Sequence, residues 1–205
     1  MTTRMFKSKV EIKNRFTGEV MFKGDNLIAL VRDNRANLSC ADLSGADLSG
    51  ANLYRANLSG ANLSGAIGIN PYLITPLLIL KDMPGKIRAY KLVDEKMEGH
   101  CKGGLKYAKG KIVEVKDANT DTNEHCGAGV NLATLDWVMR EWREGYRILV
   151  AEFTAKDIAS IPTGTDGKFR VFRCKIVGEK DLKEIGLINP AQHKNETSPD
   201  KGGVK

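Results

Sequence analysis

The chain has 205 residues, of which 41% are hydrophobic and 28% charged, an ordinary make-up for one or two soluble globular domains. Apolar runs such as residues 77–80 fall far short of the roughly 20 residues that a spanning helix needs, and no apolar stretch follows the basic first ten residues, so a cytoplasmic protein without a leader or a membrane partner is expected. The net charge of +7 invites a nucleic-acid reading, but Lys and Arg alternate with Asp and Glu at 94–98, 140–144 and 179–184, as solvated faces do, which leaves nucleic acid a secondary reading.

Residues 10–23 alternate apolar and polar on both sides of Thr17-Gly18, which predicts a β-hairpin. Asp25 or Asn26 then caps a short helix over Leu27–Asp33, with Leu27, Leu30 and Val31 on one face. From residue 36 to 65 the sequence repeats every five residues: ANLSC, ADLSG, ADLSG, ANLYR, ANLSG, ANLSG. A period of five matches neither helix nor strand, so it marks a repeat architecture of its own. Its two apolar columns are Leu38, Leu43, Leu48, Leu53, Leu58 and Leu63, and Ala36, Ala41, Ala46, Ala51, Ala56 and Ala61. The other columns hold Asn or Asp, Ser and Gly, which solvate well and bond their own backbone in turns.

The A-(D/N)-L-S-G pattern resembles the pentapeptide-repeat family. The resemblance implies a right-handed quadrilateral β-helix, four units to a turn, with Leu on the axis, Ala in the tighter inner position, and Leu38 stacked beside Leu58. A stub of about one and a half turns needs caps, which the hairpin and helix of residues 1–35 are expected to supply. The repeat unit is placed at 36–69, with the register failing near Gly68, where Leu is due, and a linker with Pro71, Pro76 and Pro84 at 70–85.

Residues 86–188 read as a separate α+β domain. Ile87–Val93 and residues 111–116 alternate as strands. Thr134 caps a helix over residues 135–144, a strand follows at 147–154, and a longer one at 168–177 carries a bulge near Arg173. Residues 189–205 form a polar, flexible tail. The whole is predicted to be mainly β with α+β.

The order AYK, Y-x-x-G-K, C-x-x-G-V-x-x-A-T, D-I-x-x-I-P and K-F-R-V is similar to a C-terminal domain of unassigned function found behind short pentapeptide repeats in tailed-phage proteins. The lead-in N-R-F-T-G-E-V-x-F resembles theirs too. The likeness implies a phage source and an architecture, and no activity.

Several groups of residues are candidates for chemistry. Four Cys, at 40, 101, 126 and 174, lie far apart and predict no disulfide framework in a reducing compartment. His100-Cys101 and His125-Cys126 supply two His and two Cys, a set zinc accepts, although adjacent residues point apart and suit a metal poorly. Cys126-Gly-Ala-Gly129 leads toward the helix at Thr134 and allows close backbone approach to an anion. Arg88, Tyr90 and Glu152 stand in the order of the stations in ADP-ribosyltransferase-type sheets. That likeness implies a pyrophosphate clamp at Arg88 and an oxocarbenium stabiliser at Glu152, but the S-T-S triplet and the partner acid of the Glu are missing.

The reading is therefore a non-enzymatic binding or scaffold protein with no cofactor, acting on a host or phage protein or on itself. Alternatives are an NAD-handling enzyme in the C-terminal domain and a nucleic-acid or topoisomerase-directed protein. DNA mimicry calls for a long anionic rod, and the outward acids of the repeat are Asp42 and Asp47 alone, opposed by Arg55.

Overall fold

The computed structural model describes residues 9–99 and 104–188. The fold is mixed, mainly β with a few short helices, consistent with α+β. Strands β1 (Val10–Asn14) and β2 (Val20–Gly24) form the predicted hairpin, with a bulge between Ile12 and Lys13. Asn26 rather than Asp25 caps helix α1 (Leu27–Asp33), its side-chain oxygen accepting from the Ala29 N–H at 2.9 Å.

The repeat segment returns on itself every twenty residues. Parallel bridges join Asp42 to Asn62 and Asp47 to Ile67, while the N–H groups of Leu43 and Gly45 donate to the carbonyls of Asn62 and Ser64. In the five units after the first the Asn or Asp side chain accepts the N–H two residues on, as Asp47 does from Ser49 at 2.9 Å and Asn52 from Tyr54 at 3.0 Å. The Ala N–H donates to the Leu carbonyl three back. Sequence therefore fixes the turn: a short polar side chain closes it locally, and the fifth column takes a left-handed backbone, with Gly at 45, 50, 60 and 65 but Cys40 and Arg55 at φ 60° and 58°. All six Leu side chains are at most 6% exposed and form one cluster with Ile12 and Val31, so the hairpin and α1 close one end. Ala36 departs from the expected inner column. It lies in a 3₁₀ turn, Arg35–Asn37, and is exposed, because the first unit leads in from α1. The pairing runs to the end of the repeat segment, where Leu48 N–H still reaches Ile67 O at 2.9 Å.

Helix α2 (Pro71–Ile74) and a 3₁₀ helix (Pro76–Lys81) follow. Ile74 packs into the Leu cluster of the repeat, whereas Leu77, Leu78 and Leu80 pack against the core of the next sheet. One short segment thus walls both units. The buried Thr75 hydroxyl accepts the Gly164 N–H at 3.0 Å, and Gly164 lies so close to the repeat that a Cβ there would stand 2.6 Å from Leu58 Cβ.

The second sheet contains β4 (Ile87–Val93), β5 (Ile112–Glu114), β6 (Val130–Ala133), β7 (Arg147–Phe153), β8 (Ile158–Ser160), β9 (Lys168–Val171) and β10 (Arg173–Glu179), in the order β5-β10-β7-β4-β6-β9-β8. The strand expected at 168–177 is two strands parted at Phe172, not one strand bulged at Arg173. Only that residue separates β9 from β10, yet they hold distant places in the order, so the sheet must curl until they meet. Inside the curl lie Ala89, Val93, Leu132, Leu149, Phe169 and Ile176. On the outer face Tyr90, Leu92 and Ile148 pack against helix α3 (Leu135–Glu141). That helix stops before the expected residue 144, because Trp142 turns to ψ 141° and its indole N–H donates to Tyr146 O at 2.8 Å. Thr134 holds the cap position, but its hydroxyl makes no cap bond and has no partner among the described residues.

Candidate functional site

The curled sheet has a weak seam. Strands β4 and β7 pair along all of Ile87–Val93, whereas β4 and β6 pair at the single position Tyr90–Ala133. Beside that pair Lys91 points inward and is 6% exposed. Burying an ammonium is costly unless it is bonded, and here it donates to the Asn131 carbonyl at 3.0 Å and stands 4.9 Å from the Tyr107 ring centre. Recesses of about 350 and 440 Å³ open beside the seam, and the linings of both include Lys91, Cys126 and Asn131.

The 350 Å³ recess has an apolar floor of Leu92, Ala133 and Val138 and a wall made by Trp137. Strand β9 brings Lys168 over that indole, 5.2 Å from the ring centre and 3.6 Å from Cys126 Sγ. The indole N–H donates to Asp166 Oδ2 at 3.1 Å, which fixes the ring. Lys168 forms no ion pair within 4 Å among the described residues, although Asp166 and Glu141 line the same recess. His125 borders it and is 9% exposed; burial, with Lys168 nearby, pushes its imidazole down to about 4, so it is neutral at physiological pH. Its Nδ1 accepts the Gly60 N–H of the repeat at 3.5 Å. The polar loop before His125 is pinned by Arg170, 1% exposed, which donates to the carbonyls of Asn119, Glu124 and Asp121 at 3.0, 2.6 and 2.8 Å.

Of the proposed ligand doublets, His100 and Cys101 lie outside the described residues. Among the described residues no group of three His, Cys, Asp or Glu is placed to hold a metal. The run Cys126-Gly-Ala-Gly129 does not open the helix: strand β6, four residues long and unremarked in the sequence, stands between. Arg88 and Glu152 face each other across β4 and β7, with 3.6 Å between Nε and Oε2, and Lys86 reaches the other oxygen at 2.9 Å. The bond from Lys86, helped by Arg88, keeps the Glu152 carboxyl below its ordinary range. Tyr90 lies at the α3 end of the same face, beside the seam. Sequence reasoning passed over Lys91, Lys168 and Trp137, since nothing in their spacing links residues on three elements.

A third cavity, of about 680 Å³, runs between the repeat, α2, α3 and the loop before β9, lined by Tyr54, Arg55, Asn57, Leu73, Arg140 and Thr165 among others.

Residues 34–67 match the family described as pentapeptide repeats, counted as eight copies. The match does not extend to residues 86–188. No curated protein and no solved structure matches the chain. Among the described residues no helix is long and apolar enough to cross a membrane.

Proposed function

We propose that this chain is a non-enzymatic binding or scaffold protein of the cytoplasm, with a pentapeptide-repeat mount and an α+β unit that carries the specific surface. The twenty-residue return supports reading the repeat as a short right-handed quadrilateral β-helix over 36–69, with residues 1–35 as its lead-in, 70–85 as the connection and 86–188 as the second unit. The tailed-phage likeness supports a phage-encoded origin and a host or phage protein as partner. The observation that carries the reading is the shared wall: Ile74 in one core, Leu77 and Leu78 in the other, and Thr75 bonded across. A mount joined so firmly to its neighbour presents both together, with Tyr54 and Leu73, which line the groove between them, exposed at 57% and 62%, and Tyr72, next to Leu73 in the chain, at 78%. Exposed aromatic and apolar side chains beside one another are what interaction surfaces use.

The test is a cross-linking pull-down with the tagged full chain in a bacterial host, run beside a Tyr54→Ser, Tyr72→Ser, Leu73→Ser variant. The proposal expects one dominant protein, or the chain itself, to be captured by the parent and lost from the variant. Capture of nothing, or equal capture by both, removes the reading.

A further inference from the structure

We infer that the recess at the β4–β6 seam binds a small apolar carboxylic acid, with an aromatic or aliphatic body against Trp137 and its carboxylate facing Lys168. The site goes beyond the scaffold reading and stands or falls apart from it.

The recess has the character of a small-ligand site: concave, about 350 Å³, more apolar than polar in its exposed surface, and rimmed by charged groups of both signs, Lys91 and Lys168 with Glu141 and Asp166. Leu92, Ala133 and Val138, none more than 3% exposed, make a floor with no bonding demands, and the Trp137 ring is held in place by its bond to Asp166. A flat or branched hydrocarbon body fits between floor and ring.

The polar groups select the other end. Lys168 extends over the indole face from β9, and the cation steadied there has the positive charge to meet an anion. Lys91 adds positive potential from below. Of the nearby acids, Asp166 gives Oδ2 to the indole while its buried Oδ1 has no partner among the described residues, and neither it nor Glu141 comes within 4 Å of the Lys168 ammonium among the described residues. A lysine is a point charge without the two-pronged fork that favours phosphate. The guanidinium groups that could supply one are engaged: Arg170 with three carbonyls, and Arg140 with Asp166 O at 3.0 Å. A monoanion with a hydrophobic body is the ligand these constraints share.

The seam itself explains why a recess exists here. One residue pair between β4 and β6 leaves neighbouring backbone apart, and a buried lysine bonded to Asn131 fills the gap from within. Deeper pairing would close the recess.

The experiment follows the Trp137 indole N–H in a ¹H–¹⁵N spectrum of the full chain, assigned by elimination with Trp142→Phe. Benzoate and benzamide, alike in shape and different in charge, are titrated separately. Benzoate should shift the signal saturably and bind at least tenfold tighter than benzamide, and Lys168→Met should abolish the difference while Lys168→Arg keeps it. Equal binding of the two probes, no saturable shift with either, or a benzoate preference that survives in a folded Lys168→Met overturns the inference. The parent comparison decides alone if Lys168→Met does not fold.

Discussion

Arg170 shows how one side chain organises a region that looks featureless. A loop of Asp, Asn and Thr cannot bury its own carbonyls without donors, and the guanidinium of Arg170 supplies them to three at once. The loop then delivers His125 to the repeat. The folded pKa of His125, about 4, lies below the ordinary 6.5, so the unfolded chain takes up its proton first as pH falls. The resulting contribution is complete above pH 6.5, shrinks as pH drops through that window, and is gone below pH 4. The linkage is worth at most about 3–4 kcal/mol. Urea titrations between pH 7.5 and 4 should show this loss in the parent, and His125→Asn, which keeps an acceptor near Gly60 but cannot titrate, should flatten it. An equally steep profile in the variant would assign the slope to other groups.

Among the elements, the repeat is the most legible from sequence. The fivefold spacing carries the buried Leu column, the side-chain turns and the twenty-residue return together, because a periodic chain has the same local solution in each unit after the first. Leu48→Asp should therefore cost several kcal/mol, since it strands a charge in the buried Leu cluster. Ser49→Asp, on the exposed side, should stay within about 0.5 kcal/mol. Equal tolerance of both in chemical denaturation would contradict the packing described. Arg55, left-handed where four equivalent positions carry Gly, gives a prediction of opposite sign: Arg55→Gly should stabilise by about 1 kcal/mol, read as a raised urea midpoint. The curled sheet was far less legible. Its strands β4, β7 and β10 show in the alternation, but β6 and β8 are too short to signal, and nothing local tells that Phe172 sends β9 and β10 to different partners. The seam recess is hidden for the same reason, being assembled from β4, β6, β9 and α3 by pairing partners rather than by spacing.

At the scale of the whole molecule, the question is whether repeat and sheet melt together. Gly164 has φ +68° and faces Leu58 at a distance that leaves no room for a methyl group, whereas Gly18, at φ +73°, faces open space. Both lose the same backbone freedom on substitution, so comparing them isolates the contact between units. Gly18→Ala should cost about 1–2 kcal/mol, and Gly164→Ala about 2–4 kcal/mol from strain and overpacking combined. Calorimetry should also show Gly164→Ala splitting one transition into two as the shared wall loosens. A single unsplit transition with equal costs would mean that the units are coupled elsewhere.

The divided strand at Phe172 also sets an order in time. The backbone bonds that pair one stretch of the repeat with the next, as far as Leu48 to Ile67, are available once residue 67 has left the ribosome, whereas the Gly60 N–H waits for His125 and the Leu cluster for Ile74. The sheet must wait for β9 and β10, because the same twelve residues, 168–179, supply partners to β6 and β8 on one side and to β5 and β7 on the other. About a hundred residues separate the two events, which at ~5–20 residues per second is a delay of roughly 5–20 s. During that interval the nascent chain carries the repeat segment, with β4, β6 and β7 emerging beside it without their outer neighbours. A vectorial order is therefore expected, in which the repeat pairs first and the late sheet closes beside the segment that carries Ile74.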